Sequence, residues 1–183
     1  MIGSVKMKVT RVNGNMLKYL QVLDTRSFLS LFTISCNPRL TRAALAFSFT
    51  ADGWFYFLLL PAIILARPEQ SRELISLAIV AFSTERLTYF ILKNTIKRRR
   101  PPDLLSGITS VVQASDQFSL PSGHTSAAFL FVNFLCVGIS PLFLPLYMWS
   151  CCVGASRVVL GVHFPADILM GALLGTTVAL AVF

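Results

Sequence analysis

Five stretches of about 20 mostly apolar residues, roughly 45–66, 73–95, 122–140, 142–161 and 165–183, limit what this chain can fold into. A helix of that length is what crosses the hydrocarbon core of a bilayer. Lipid offers no hydrogen bonds, so the backbone must satisfy itself, and the non-alternating pattern selects helices over a barrel. With 55% hydrophobic and 13% charged residues in 183, the chain is also poorer in charge than a water-soluble domain. The short turn Gly138-Ile139-Ser140-Pro141 predicts that the third and fourth stretches form an antiparallel hairpin. Neither a repeat nor a flexible linker divides the chain. The expectation is one all-α integral membrane domain over 1–183, in which 45–183 form a bundle of about five transmembrane helices.

Residues 1–44 read differently. Lys6, Lys8, Arg11, Lys18, Arg26, Arg39 and Arg42 alternate with Met16, Leu17, Leu20, Leu23, Phe28 and Leu31, the pattern of a helical segment lying in the membrane interface. Asp24 and Arg26 interrupt its apolar run and no small-residue cleavage site follows, which argues against a signal peptide. The net charge of +8 is better matched to phosphate at a membrane surface than to nucleic acid, which is not an expected partner. Cys36, Cys136, Cys151 and Cys152 lack metal-ligand spacing, so neither a zinc site nor a disulfide framework follows. Asp52, Trp54 and Tyr56 read as an interfacial boundary, and Glu85 either as the orienter of a site cation or as a structural pair.

The remaining ionisable residues gather at one end of the bundle. Lys93 and Arg100 are seven positions apart, nearly two helical turns, and so share a face. Pro121-Ser122-Gly123-His124 opens the third span, where Ser122 can cap and free amides can meet an anion. Ser156-Arg157 closes the fourth span, and His163 precedes Asp167 by four residues, within reach for the carboxylate to hold the ring. A histidine so backed is an activated nucleophile. Taken singly, these groups are basic collars, ordinary caps or structural pairs. Alternating span directions nevertheless bring all of them to one membrane face, and both histidines of the chain fall among them. Residues 102–120, the one long polar connection between spans, are expected to lie over this face.

On these residues the chain resembles the type 2 phosphatidic acid phosphatase superfamily, the lipid phosphate phosphatases. Three motifs carry the resemblance: K-x6-R-P at Lys93 to Pro101, P-S-G-H at Pro121 to His124, and S-R-x5-H-x3-D at Ser156 to Asp167. All eleven fixed positions match, in the family's order. The resemblance implies that His163 attacks phosphorus, that Asp167 fixes its tautomer, and that His124 protonates the departing oxygen and later activates water. It implies further that Lys93, Arg100, Arg157, Ser122 and the Gly123 amide hold the phosphate oxygens, with no metal and no cofactor. Compared with six-span relatives, the interfacial segment stands in place of a first span.

The function expected from this reading is hydrolysis of a lipid phosphomonoester or diphosphate, such as phosphatidate, phosphatidylglycerol phosphate or a polyprenyl diphosphate, through a phosphohistidine. The partners expected are that lipid phosphate and the surrounding membrane lipids. Alternatives are a lipid phosphotransferase using the same site, and a transporter or scaffold that binds lipid phosphate without turnover. The excess of Lys and Arg on the side of residues 1–42 favours a cytoplasm-facing site in a cell (inner) membrane by the positive-inside rule.

Overall fold

The computed structural model describes residues 15–183, so Lys6, Lys8 and Arg11 of the basic segment lie outside the described residues. Helix α1 covers Asn15–Phe32, α2 Pro38–Thr50, α3 Gly53–Leu65, α4 Ser71–Ile96, the one-turn α5 Pro101–Leu104, α6 Gly123–Gly138, α7 Leu146–Val159 and α8 Pro165–Val182. The described residues contain no strand. The chain is an all-α membrane protein, as its apolar runs require.

Three helical stretches are long and apolar enough to span a membrane: Pro68–Leu104, which contains α4, Pro141–Val159, which contains α7, and α8. Helices α2 and α3 make a fourth span when taken as one bent element. Helix α6 is the fifth apolar segment, but its 16 residues cover only about 24 Å of a roughly 30 Å hydrocarbon core. Large apolar side chains such as Phe57, Leu65, Leu142, Leu169 and Leu180 are exposed on the outside, where lipid rather than water is the solvent.

The first expected span, 45–66, is not continuous. It breaks at Ala51 and Asp52 with a bend of 54°. Thr50-Ala51-Asp52-Gly53 is a turn-forming run, and Asp52 takes the extended conformation of a helix N-cap. Past this break, Asp52 and Tyr56 line a cavity, and Tyr56 packs against Phe82 and Phe131.

Helix α6 is buried along most of its length and packs chiefly on α8. The two backbones meet at Gly171 and Gly175; a β-carbon at Gly175 would stand 2.2 Å from the Ser126 carbonyl oxygen. Small residues permit this approach, the usual route to close helix packing in lipid. Helix α1 exposes Met16, Tyr19, Leu20 and Leu23, while Phe28 is fully buried against Phe32, Phe164, Leu105 and Val158. Phe28 is therefore the aromatic anchor of α1 on the bundle.

Candidate active site

Local chain geometry delivers each charged group to the same place. Helix α4 stops because Lys97 adopts a left-handed conformation and Pro101 and Pro102 follow. The segment Arg98–Arg100 then folds back across the end of the bundle. Helix α7 stops at Gly161, whose φ of 79° suits glycine, and the Val162 amide bonds back to the Arg157 carbonyl at 3.2 Å. That reversal turns His163 towards the bundle. Helix α8 then starts with Pro165, and Asp167 caps it by accepting the Phe164 amide at 2.8 Å. Asp167 is thus fixed by helix chemistry before it does anything else.

Lys93, Arg100, Gly123, His124, Arg157 and His163 all line one cavity of about 600 Å³. Ser122 does not reach its wall: the hydroxyl is buried and accepts a hydrogen bond from Thr125 at 2.9 Å instead of capping α6. Asp167 stands behind His163, with 3.6 Å between Oδ2 and Nδ1. That is an ion-pair distance and too long for a hydrogen bond, a looseness common in unliganded sites. His163 is nearly inaccessible, and burial, reinforced by Arg100 and Arg157 and only partly offset by Asp167, pushes its pKa down to about 4. The ring is therefore neutral at physiological pH, the form a nucleophile needs.

Arg157 is buried and donates to the Ser48 hydroxyl, but pairs with no carboxylate among the described residues, and its Nε has no partner. Nδ1 of His163 is likewise unsatisfied. A buried guanidinium left this way is set up for an anion.

Four acid or base partners escaped the sequence reading. Asp52, carried to the cavity by the α2–α3 break, lies 3.0 Å from His124 Nε2. Arg98 donates to Asp167 Oδ1 at 2.6 Å and also pairs with Asp24 of α1, whose other oxygen accepts the Ala166 amide at 2.9 Å. A chain Asp24–Arg98–Asp167–His163 thus ties α1 to the histidine–aspartate pair. Asp116, from the 102–120 connection, accepts from Lys93 at 2.7 Å, from Tyr89, and from Arg100. Glu85 makes no ion pair with any site cation.

Asp116 stands where phosphate oxygens are expected. Burial alone would raise its pKa, but hydrogen bonds from Lys93 and Tyr89 and the charges of Lys93 and Arg100 hold it down at about 2. It stays anionic across the working range and occupies two cations that the sequence reading assigns to phosphate. Asp116→Asn should therefore strengthen inhibition by inorganic phosphate about tenfold, equivalent to roughly 1.4 kcal/mol. A weaker inhibition, read from the phosphate dependence of initial rates, would show instead that Asp116 helps hold the cations in place.

The family model described as the PAP2 superfamily matches residues 72–183. The bacitracin transport permease protein BcrC of Bacillus licheniformis is 31% identical over 144 residues, covering 74% of this chain and 68% of its own. The decaprenylphosphoryl-5-phosphoribose phosphatase of Mycobacterium tuberculosis is 32% identical over 130 residues, covering 69% and 67%. In three dimensions the chain is similar to Aquifex aeolicus LpxE, with a TM-score of 0.70, 28% identity, and 84% of this chain and 93% of that one covered. It is also similar to a transmembrane PAP2-type phosphatidylglycerolphosphate phosphatase of Bacillus subtilis, with a TM-score of 0.74, 25% identity, and 93% and 86% covered.

Proposed function

The chain belongs to the PAP2 superfamily and is a membrane lipid phosphatase, and on that premise we propose that it hydrolyses a lipid phosphomonoester or diphosphate through a phosphohistidine on His163, without a metal. The observation that carries this reading is the convergence of both histidines and three cations on one cavity wall.

With Nδ1 turned to Asp167, Nε2 of His163 is the nitrogen left to attack phosphorus. The bond from phosphorus to the lipid oxygen breaks as the new N–P bond forms, and His124 supplies the proton that the departing oxygen takes. Asp167 stabilises the imidazolium that results. Water then attacks the phosphohistidine, giving a proton to His124 and freeing inorganic phosphate and His163. Lys93, Arg100, Arg157 and the Gly123 amide supply the positive field for the equatorial oxygens, work that metal ions perform in many phosphoryl-transfer sites.

The test is phosphate release by the detergent-purified protein across phosphatidate, phosphatidylglycerol phosphate and polyprenyl diphosphates. Release should persist in a metal chelator and be blocked by vanadate, which adopts five-coordinate geometry against His163. An absolute magnesium requirement for the chemical step would overturn this account of the site. One similar protein is named as a transport permease, which gives the transporter reading some support. Trapping of an acid-labile phosphohistidine would exclude binding without turnover, and phosphate appearing on an added alcohol in place of water would indicate transfer.

A further inference from the structure

The cavity does not end at the catalytic cations. It continues between α3 and α4 into the apolar layer, walled by Tyr56, Leu60, Ile79 and Phe82, the place where a lipid chain would lie. On that continuation stands Arg86, seven residues before Lys93 on α4 and so roughly 10 Å nearer the other end of the helix. A cation at this position in a span is costly unless something anionic meets it. Among the described residues no carboxylate pairs with Arg86. Its sequence neighbour Glu85 is 1% exposed and is not on the cavity wall.

Tyr89 joins this arginine to the catalytic cations. The Arg86 guanidinium lies over the Tyr89 ring at 4.9 Å from its centroid, and Lys93 Nζ lies 4.5 Å from the same point. The two cations are therefore no more than about 9.4 Å apart, and both lie against one rigid ring. That span accepts two linked phosphates with a charge-assisted hydrogen bond at either end. When His163 attacks the terminal phosphorus, the phosphate retained by the lipid must lie on the chain side of it. Arg86 occupies that side, between the catalytic cations and the apolar groove.

We infer that Arg86, seated on Tyr89, forms a second anion subsite for the phosphate that stays on the lipid, so that the preferred substrate class is a lipid diphosphate. A lipid monophosphate leaves the Arg86 donors without a phosphate partner. The role given to the retained phosphate rests on the hydrolytic reading above, whereas the affinity of the subsite can be measured without turnover.

The experiment compares binding of farnesyl methylenediphosphonate and farnesyl phosphonate, which the enzyme cannot cleave, to the full-length protein in detergent by calorimetry. The native protein should prefer the diphosphonate by at least about tenfold, and Arg86→Met should reduce that preference about 10- to 100-fold, towards equality. Arg86→Gln, which keeps a polar side chain, reads the same ratio if the methionine variant does not fold. No preference in the native protein, or a preference unchanged by both substitutions, would overturn the subsite, as would an equal loss for the two ligands. Intact preference together with no phosphate release from farnesyl diphosphate would sink the phosphatase reading alone and leave the subsite standing.

Discussion

Replacing His163 with alanine should lower turnover by at least about 10⁴-fold and abolish the phosphoenzyme, since removing the nucleophile of a covalent mechanism leaves only binding and electrostatic assistance. Among the described residues lining the cavity, no other side chain stands against Asp167 as His163 does. The other histidine, His124, is engaged by Asp52 at 3.0 Å, and the remaining side chains lining the catalytic end of the cavity are chiefly cations and the Asp116 carboxylate. Vanadate inhibition should fall with turnover, because its apical ligand is gone. Since His163 is held neutral down to about pH 4, its protonation should not set the acid limb of kcat/KM at ordinary pH. Rapid acid-free quenching followed by detection of phosphohistidine checks the first expectation, and a pH profile checks the second. Phosphoenzyme persisting in His163→Ala would place the nucleophile on another residue.

The sequence disclosed the charged groups of the candidate site more fully than their supports, for a physical reason. Lys93 and Arg100 announce themselves by a seven-residue interval on one helix, and His163 and Asp167 by a four-residue interval at a helix start, so their proximity is local. Asp24 reaches Arg98 across 74 positions and Asp52 reaches His124 across 72, and no periodicity encodes such contacts. The α2–α3 break had a visible signal in Thr50-Ala51-Asp52-Gly53, yet the apolar residues on either side read more strongly as one span. The mixed charge of α1 reads as an interfacial helix, but its anchoring by Phe28 depends on the partner surface of Leu105 and Phe164. Ser122 illustrates the opposite case: its position before α6 fits a cap, yet its hydroxyl accepts from Thr125 in the first turn of the same helix. The 102–120 connection does cover the site, as its polarity implied, although only the fold reveals that Asp116 enters the cationic cradle.

The second large effect belongs to His124, which serves both halves of the reaction and should therefore fail differently with different leaving groups. A lipid alkoxide is a poor leaving group and needs the proton His124 supplies, so His124→Ala should slow its release by about 10²- to 10⁴-fold, the usual range for a lost general acid. A nitrophenolate leaves without that proton. With nitrophenyl phosphate the same variant should still form phosphohistidine, giving a burst of one equivalent at a rate within about tenfold of the native enzyme. Hydrolysis of the intermediate then lacks its base, so the steady state after the burst should remain slow and phosphoenzyme should accumulate. The Asp52 carboxylate fits both steps, since at 3.0 Å from Nε2 it can orient the ring and balance its charge whenever the proton is aboard. Stopped-flow absorbance resolves burst from steady state, and a quenched lipid assay supplies the comparison. Equal slowing of the first step for the alkoxide and the nitrophenolate would remove His124 from the acid role and leave it, at most, a phosphate-binding group.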